Sequence, residues 1–198
     1  MKEECKDLLF DSNNMFDIPN LRIDKQGGKL ELPITPWGAN SRLRKDVSTY
    51  HFYVDDYRFE NLWKDPSKLI NSGCKAIVEP NFSIHDQTPY AQALYNIYRK
   101  RWIGRYMQEL GVCVYADLFV SPRFSFENQY GIPQGYNAFF TRGLCDFPDL
   151  LKNDLQIAKE ISGLEIPNLI VYGGGIKAKE FCQKNSLLHI VDFMNVKK

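Results

Sequence analysis

The sequence predicts an α/β fold: a largely parallel sheet covered by helices, of the doubly wound or incomplete-barrel type, behind an irregular N-terminal arm at residues 1–46. Three observations predict it. From residue 48 onward, short apolar runs alternate with segments of helical periodicity, the order that parallel strands joined by crossover helices require. The runs are continuously apolar, as strands covered on both faces are, and do not alternate as half-exposed strands do. Finally, 198 residues with 44% hydrophobic and 25% charged side chains can bury one core as a single α/β domain spanning 1–198, its core at 47–198.

The elements follow in order. Residues 1–46 hold Gly27, Gly28, Pro33, Pro36 and Gly38, with a basic stretch at 42–45 and no sustained period, and so read as an arm around the domain. Residues 50–54 read as a strand, 66–71 as a short helix and 74–79 as a strand. Residues 89–110 carry the strongest helical pattern: Thr88 can cap it, Pro89 suits its first turn and Gly111 can end it. A strand is expected at 112–120, a polar segment without helix at 121–136, and a strand at 138–141. Asp146 can cap a helix at 147–162 that Gly163 ends, followed by a strand at 169–172, a helix at 176–185 and a last strand at 188–193. The count is about six strand units.

Composition excludes some function classes. With 25 basic and 24 acidic residues the net charge is +1, so no global field draws the chain to nucleic acid or an anionic membrane, and binding of either needs a local patch. No run approaches the length of a membrane span, and the charged first ten residues lack the apolar centre of a signal peptide. Cys5, Cys74, Cys113, Cys145 and Cys182 are widely separated, without zinc-ligand or redox spacing, which points to thiols in a reducing, cytoplasmic setting. The aromatic content of 14% implies a densely packed core, a stacking surface, or both.

Ligand sites of parallel α/β folds gather beyond the carboxyl ends of the strands. Asp55 and Asp56 follow the first run, Glu79 and Asn81 the second. Asp117 and Ser121 belong to the third, Thr141 and Arg142 to the fourth, Gly173, Gly174 and Gly175 to the fifth, and Asp192 to the last. Neighbouring residues of a strand face opposite ways, so Asp55 and Asp56 do not form a catalytic pair: one faces the crevice and the other is free to cap the next helix. Asp56, Glu79 and Asp117 are oxygen donors of the kind Mg²⁺ takes, but no fixed motif joins them and no metal set is assigned.

The long helix supplies the opposite charge. At 100° per residue Ala91, Leu94, Tyr95, Tyr98, Trp102 and Tyr106 form one stripe, with Arg105 inside it and Asn96 and Arg99 on its flank. Asp55, Asp56 and Glu60 are the natural partners of Arg99 or Arg105, as structural ion pairs or as guanidinium groups held ready for a phosphate or carboxylate. Arg99, Lys100, Arg101 and Arg105 among Tyr98, Trp102 and Tyr106 also have the make-up of a single-strand nucleic-acid surface, although the aromatics keep core spacing. Gly173, Gly174 and Gly175 join a strand to a helix, where backbone can approach an anion; this is neither a Walker motif nor a dinucleotide fingerprint, and a plain tight turn has the same sequence. His51 and His189 lie within apolar strands and read as core. His85 follows a strand end and is the general acid–base candidate. No nucleophile motif of the Gly-x-Ser-x-Gly type occurs.

The segment 51–63, with Asp55, Asp56, Arg58, Phe59 and Glu60, followed by Glu79, Pro80, Asn81, Phe82 and Ser83, then Asn96, Ile97, Tyr98, Arg99 and Gly111, and finally Val171, Tyr172 and Gly173, resembles a family of bacterial and phage-borne domains of unknown function, number 4417 in that series. The likeness runs over roughly residues 45–175. It implies a phage or mobile-element setting and no particular activity, and Asn81 stands where that family usually has Asp.

The expectation is a cytoplasmic protein that binds a phosphorylated ligand, a nucleotide or nucleic-acid end, at the strand carboxyl ends. Asp56, His85 and Arg99 would be the catalytic candidates, and Gly173, Gly174, Gly175, Asn81, Ser83 and Arg105 the binding residues. Any reaction would be on a phosphoester or glycosidic bond. No cofactor is assigned. The alternative is a non-catalytic inhibitor of a host or defence protein, with Phe124, Phe126 and Tyr130 as its contact surface. Neither reading involves a membrane.

Overall fold

The structure, a computed structural model, describes residues 10–38, 47–145 and 148–191. The basic stretch at 42–45, Cys5, the Asp146 cap and Asp192 lie outside the described residues. Seven parallel strands form one sheet in sequence order. They are β1 (Ile34–Pro36), β2 (Thr49–His51), β3 (Ala76–Val78), β4 (Cys113–Asp117), β5 (Phe139–Gly143), β6 (Leu169–Gly173) and β7 (Leu188–Ile190). The helices are α1 (Asn61–Lys64), α2 (Ser67–Asn71), α3 (Tyr90–Glu109), α4 (Pro148–Ser162) and α5 (Gly175–Lys184).

The strand order decides between the two expected architectures. A doubly wound sheet reverses direction at a switch point; here every crossover steps the same way, as in a barrel. The sheet also curls. Three strands separate β2 from β6, and at the usual spacing a flat sheet would hold them about 19 Å apart. Yet the His51 ring centroid lies 4.3 Å from that of Tyr172, and Tyr53 stacks on Tyr172 at 5.8 Å. The fold is a half-barrel whose concave face closes on aromatic side chains.

The strand missed in the sequence is β1. Two prolines hide it, and Pro36 is tolerated because β1 pairs on one side only, in register with β2. The arm is a structural part of the sheet. Gln26 bridges Val114, and the Gly27 N–H donates to Val114 O at 2.7 Å. β4 and β5 pair only from Ala116 and Phe139 onward, so the arm is bonded to β4 where β5 is not. A Cβ on Gly27 would lie 2.4 Å from the Tyr115 ring, which is why backbone alone fits there.

α3 packs on β4, α4 on β5, and α5 on β6 and β7. Aromatic side chains fill the core: Phe52, Phe59, Phe82, Phe124, Phe139, Phe140, Tyr115, Tyr136 and Trp102 are all buried. Two sequence expectations are corrected here. The Thr88 hydroxyl does not cap α3; it accepts from the His85 N–H at 2.8 Å and closes the preceding loop. The predicted stripe faces the core only in its second half, where Trp102 is buried with Tyr98 and Tyr106 packed against the same cluster. Tyr95 is 45% exposed, while the inward face of α3 is Ala93, Ile97, Lys100, Gly104 and Met107. Phe124 is likewise core, leaving Phe126 as the exposed aromatic of its segment. No helix among the described residues is long and apolar enough to cross a membrane.

Candidate functional site

A cavity of about 930 Å³ opens at the carboxyl ends of the strands. His51, Tyr53, Asp55 and Arg58 line it from β2 and the turn beyond, Asn81, Ser83 and His85 from the loop after β3, and Phe119 and Ser121 from the end of β4. Arg142 comes from β5 and Tyr172 from β6, and the two are register partners on neighbouring strands. Alternation explains their aim: Thr141 faces outward, its hydroxyl donating to Asp154 of α4 at 2.5 Å, so Arg142 faces the concave side.

Two polar networks stand behind this wall. The outer one starts at Asp56, whose carboxylate accepts from the Ser83 N–H at 3.0 Å and the Ser83 hydroxyl at 2.8 Å. Ser83 O accepts from Asn96 Nδ2 at 2.9 Å, Asn96 Oδ1 accepts from Arg99 Nη2 at 2.8 Å, and Arg99 Nη1 donates to Glu60 at 2.6 Å. The Arg99 guanidinium lies over the Phe82 ring at 3.8 Å. Asp56 thus anchors a loop and does not cap a helix, while Asp55 lies on the cavity wall and pairs with Arg58 at 3.4 Å.

The charged groups of the inner network are fully buried. Arg101 pairs with Glu79 and donates to Asn128 O at 2.7 Å and Tyr130 O at 3.0 Å. Lys100 Nζ donates to the Asp117 carboxylate at 3.2 Å and to Asp117 O at 2.9 Å. Asp117 also accepts from the Tyr53 hydroxyl at 2.9 Å, Asn81 Nδ2 at 2.8 Å and the Phe119 N–H at 3.2 Å. Burial pushes the Glu79 carboxyl up, against the pull of Arg101, and pushes the Lys100 ammonium down, against the pull of Asp117. It holds the Tyr53 phenol well above its ordinary value, reinforced by Asp117, so Tyr53 donates as a neutral hydroxyl.

The predicted site residues therefore divide. Asn81, Ser83 and His85 line the cavity. Asp56 and Arg99 lie behind it, joined in the outer network. Arg105 is elsewhere, pairing with Glu109 and, at 2.9 Å, with Asp11. Lys100 and Arg101 have no exposed surface and Arg99 and Arg105 almost none, so the basic cluster of α3 is not a nucleic-acid surface. Gly173, Gly174 and Gly175 all take positive φ, and a Cβ on Gly174 would lie 2.7 Å from both Ala178 Cβ and Gly143 C. The glycines let β5 and α5 approach, and they do not line the cavity. Among the described residues no three His, Cys, Asp or Glu side chains converge as a metal set; Glu79 and Asp117 are taken by cations instead.

Sequence reasoning placed Arg142 at a strand end without giving it a role, and did not name His51, Tyr53 or Tyr172 as wall residues. Alternation along β5 was the signal available for Arg142. No salt bridge joins Arg142 to a carboxylate among the described residues, although its charge acts on the Tyr53 phenol. The His51 ring accepts the Tyr53 N–H at Nδ1 at 3.2 Å, which places the proton of the neutral ring on Nε2. The wall combines a guanidinium with no salt bridge among the described residues, aromatic rings packed on one another and a few fixed polar groups, the make-up of a small-molecule site.

The chain belongs to the family described as Domain of unknown function (DUF4417), whose model matches residues 10–157. The match takes in the arm and ends within α4, so Tyr172 and the glycine turn lie beyond it. Over 134 residues the chain is 31% identical to the Gene 1 protein of Mycobacterium phage L5, covering 65% of this chain and 57% of that protein. It is 32% identical over 134 residues to the Gene 1 protein of Mycobacterium phage D29, covering 65% of this chain and 48% of that protein. The chain spans about half the length of the curated relatives it matches. No solved structure matches it.

Proposed function

We propose, with membership of this phage-associated family as the premise, that the cavity binds a phosphorylated, base-bearing ligand: a nucleotide or a nucleic-acid end. The observation that carries the reading is Arg142, a cavity cation with no salt bridge among the described residues, set beside Tyr172 and close to Tyr53 and His51. A guanidinium presents a planar fork to phosphate oxygens, and aromatic faces accept a base. Arg58, paired only at 3.4 Å with Asp55, adds a second positive group at the rim.

Thermal-shift measurements with nucleoside mono- and triphosphates and short oligonucleotides test the reading. The expected result is a rise in Tm with at least one of them that Arg142→Ala removes. No shift with any at millimolar concentration overturns it. Chemistry on a phosphoester or glycosidic bond is part of the proposal and falls to His85, the exposed imidazole on the wall. Turnover of the bound nucleotide would then be lost in His85→Ala with binding retained, whereas unchanged turnover removes His85 from that role.

A further inference from the structure

Arg142 sets the charge of the ligand the cavity would take. The buried network behind Asn81 says more about its neutral part. Asn81 Nδ2 donates both of its hydrogens to the protein, to Asp117 Oδ2 at 2.8 Å and to Phe119 O at 3.0 Å. Both partners can only accept, so the amide cannot be reversed: an oxygen turned toward them would face two oxygens. Asp117 is itself immobilised by Lys100, the Tyr53 hydroxyl and the Phe119 N–H. The carboxamide oxygen is what remains. Asn81 lines the cavity, and both of its side-chain hydrogen bonds among the described residues are donated by Nδ2, none accepted by Oδ1. A free asparagine reads a ligand with a donor and an acceptor together. This one offers only the acceptor.

We infer that Asn81 Oδ1 is a fixed hydrogen-bond acceptor that selects a neutral N–H or O–H donor on the bound nucleotide, the exocyclic amine of the base or a hydroxyl of the sugar. This rests on the nucleotide reading and deepens it: Arg142 takes the phosphate, and Asn81 reads the donor. Asp117 and Lys100 are positioning residues, acting through Asn81.

The test titrates the full chain with AMP, with purine riboside 5′-monophosphate, which lacks the amine, and with 2′,3′-dideoxy-AMP, which lacks the sugar hydroxyls. AMP should bind about 2- to 10-fold more tightly than one of the two analogues, the weaker analogue identifying the group read. In Asn81→Ala that preference should vanish, with AMP binding as the weaker analogue does. Three equal affinities in the unaltered protein overturn the inference, as does an Asn81→Ala variant that weakens all three by the same factor. The analogue comparison uses unaltered protein, so it decides even if the variant folds poorly. Other nucleotides binding in an Arg142-dependent way while AMP does not would overturn this inference alone. Failure of every nucleotide would overturn the proposed function with it.

Discussion

The long helix and the strand ends use cations in opposite ways. On α3, Lys100 and Arg101 have no exposed surface, and each is matched to a carboxylate and to backbone carbonyls. On β5, Arg142 borders a cavity and has no carboxylate partner among the described residues. Charge density along the sequence favoured α3, where four basic residues stand within seven positions from Arg99 to Arg105. A cation already satisfied by the protein is part of the scaffold, whereas Arg142, with no salt bridge among the described residues, is the one on which the proposed function draws. The same contrast runs through the carboxylates. Asp117 and Glu79 have buried cations, while Asp154 has the neutral Thr141 and Asn153 as its close partners and no salt bridge among the described residues, and burial pushes its carboxyl up to about 7.

Breaking the buried Lys100–Asp117 pair should have the largest effect. Lys100→Met leaves the Asp117 charge buried without its cation, and loss of one partner of such a pair costs about 3–5 kcal/mol. Chemical denaturation should register this as a fall in midpoint at unchanged slope. Adding Asp117→Asn should recover part of the loss, because the orphaned charge goes too. A double variant worse than the single one would show that the geometry of the network, and not charge matching, is what the fold needs.

Asp154 comes next. Its raised pKa means that the folded state holds this proton more tightly than the unfolded chain does. Its contribution to stability is therefore complete below the ordinary carboxyl value of 3.8, declines as pH rises, and is gone above about 7. Asp154→Asn keeps an acceptor for Thr141 and removes the titration. The stability difference, variant minus native, should thus rise by about 2 kcal/mol between pH 5 and pH 7. Parallel pH profiles for the two proteins would mean that Asp154 is ionised at little cost, and the contrast with Asp117 would lose its force.

Much of this arrangement could be read in advance. Continuous apolar runs gave six of the seven strands, and the strand-end rule located the cavity at Asn81, Ser83 and His85. The exceptions have physical causes. β1 follows directly on Pro33 and ends on Pro36, and only an edge strand tolerates a proline there. The inward face of α3 contains Lys100 and Gly104, so hydropathy reports no stripe there, and a tyrosine stripe on another face took its place. Lys100 must reach Asp117, and Gly104 must be small because a Cβ would meet Glu79 at 2.9 Å. Both requirements come from contacts distant in sequence, which periodicity within one helix does not record. Glu60 was read correctly as a partner of Arg99, whereas Asp56 has no ion pair among the described residues and reaches Arg99 only through Ser83 and Asn96, a connection that depends on the curl of the sheet.

The outer network allows a smaller test. The Arg99 side chain is 8% exposed and that of Glu60 46%, so solvent screens their pair at one end only. Glu60→Gln should cost about 1 kcal/mol, well below the loss from Lys100→Met, since Arg99 keeps Asn96 and the Phe82 ring. Equal losses from the two substitutions would erase the distinction between the buried pair and the half-exposed one.

Arg142→Ala should change stability least, by within about 0.5 kcal/mol, because no salt bridge to a described residue is broken and the side chain borders an open cavity. The near-absence of a stability effect is informative. If Arg142 were a scaffold cation like Lys100, its removal would lower the denaturation midpoint whether or not nucleotide is present. If it is held for an anion, unfolding of the ligand-free protein should hardly change, and the loss should be confined to the ligand-induced gain in Tm. Arg142→Lys sharpens the point: it keeps the charge and loses the planar fork, so it should recover only part of that gain. A destabilised ligand-free Arg142→Ala protein would return Arg142 to the scaffold and leave the cavity without its principal cation.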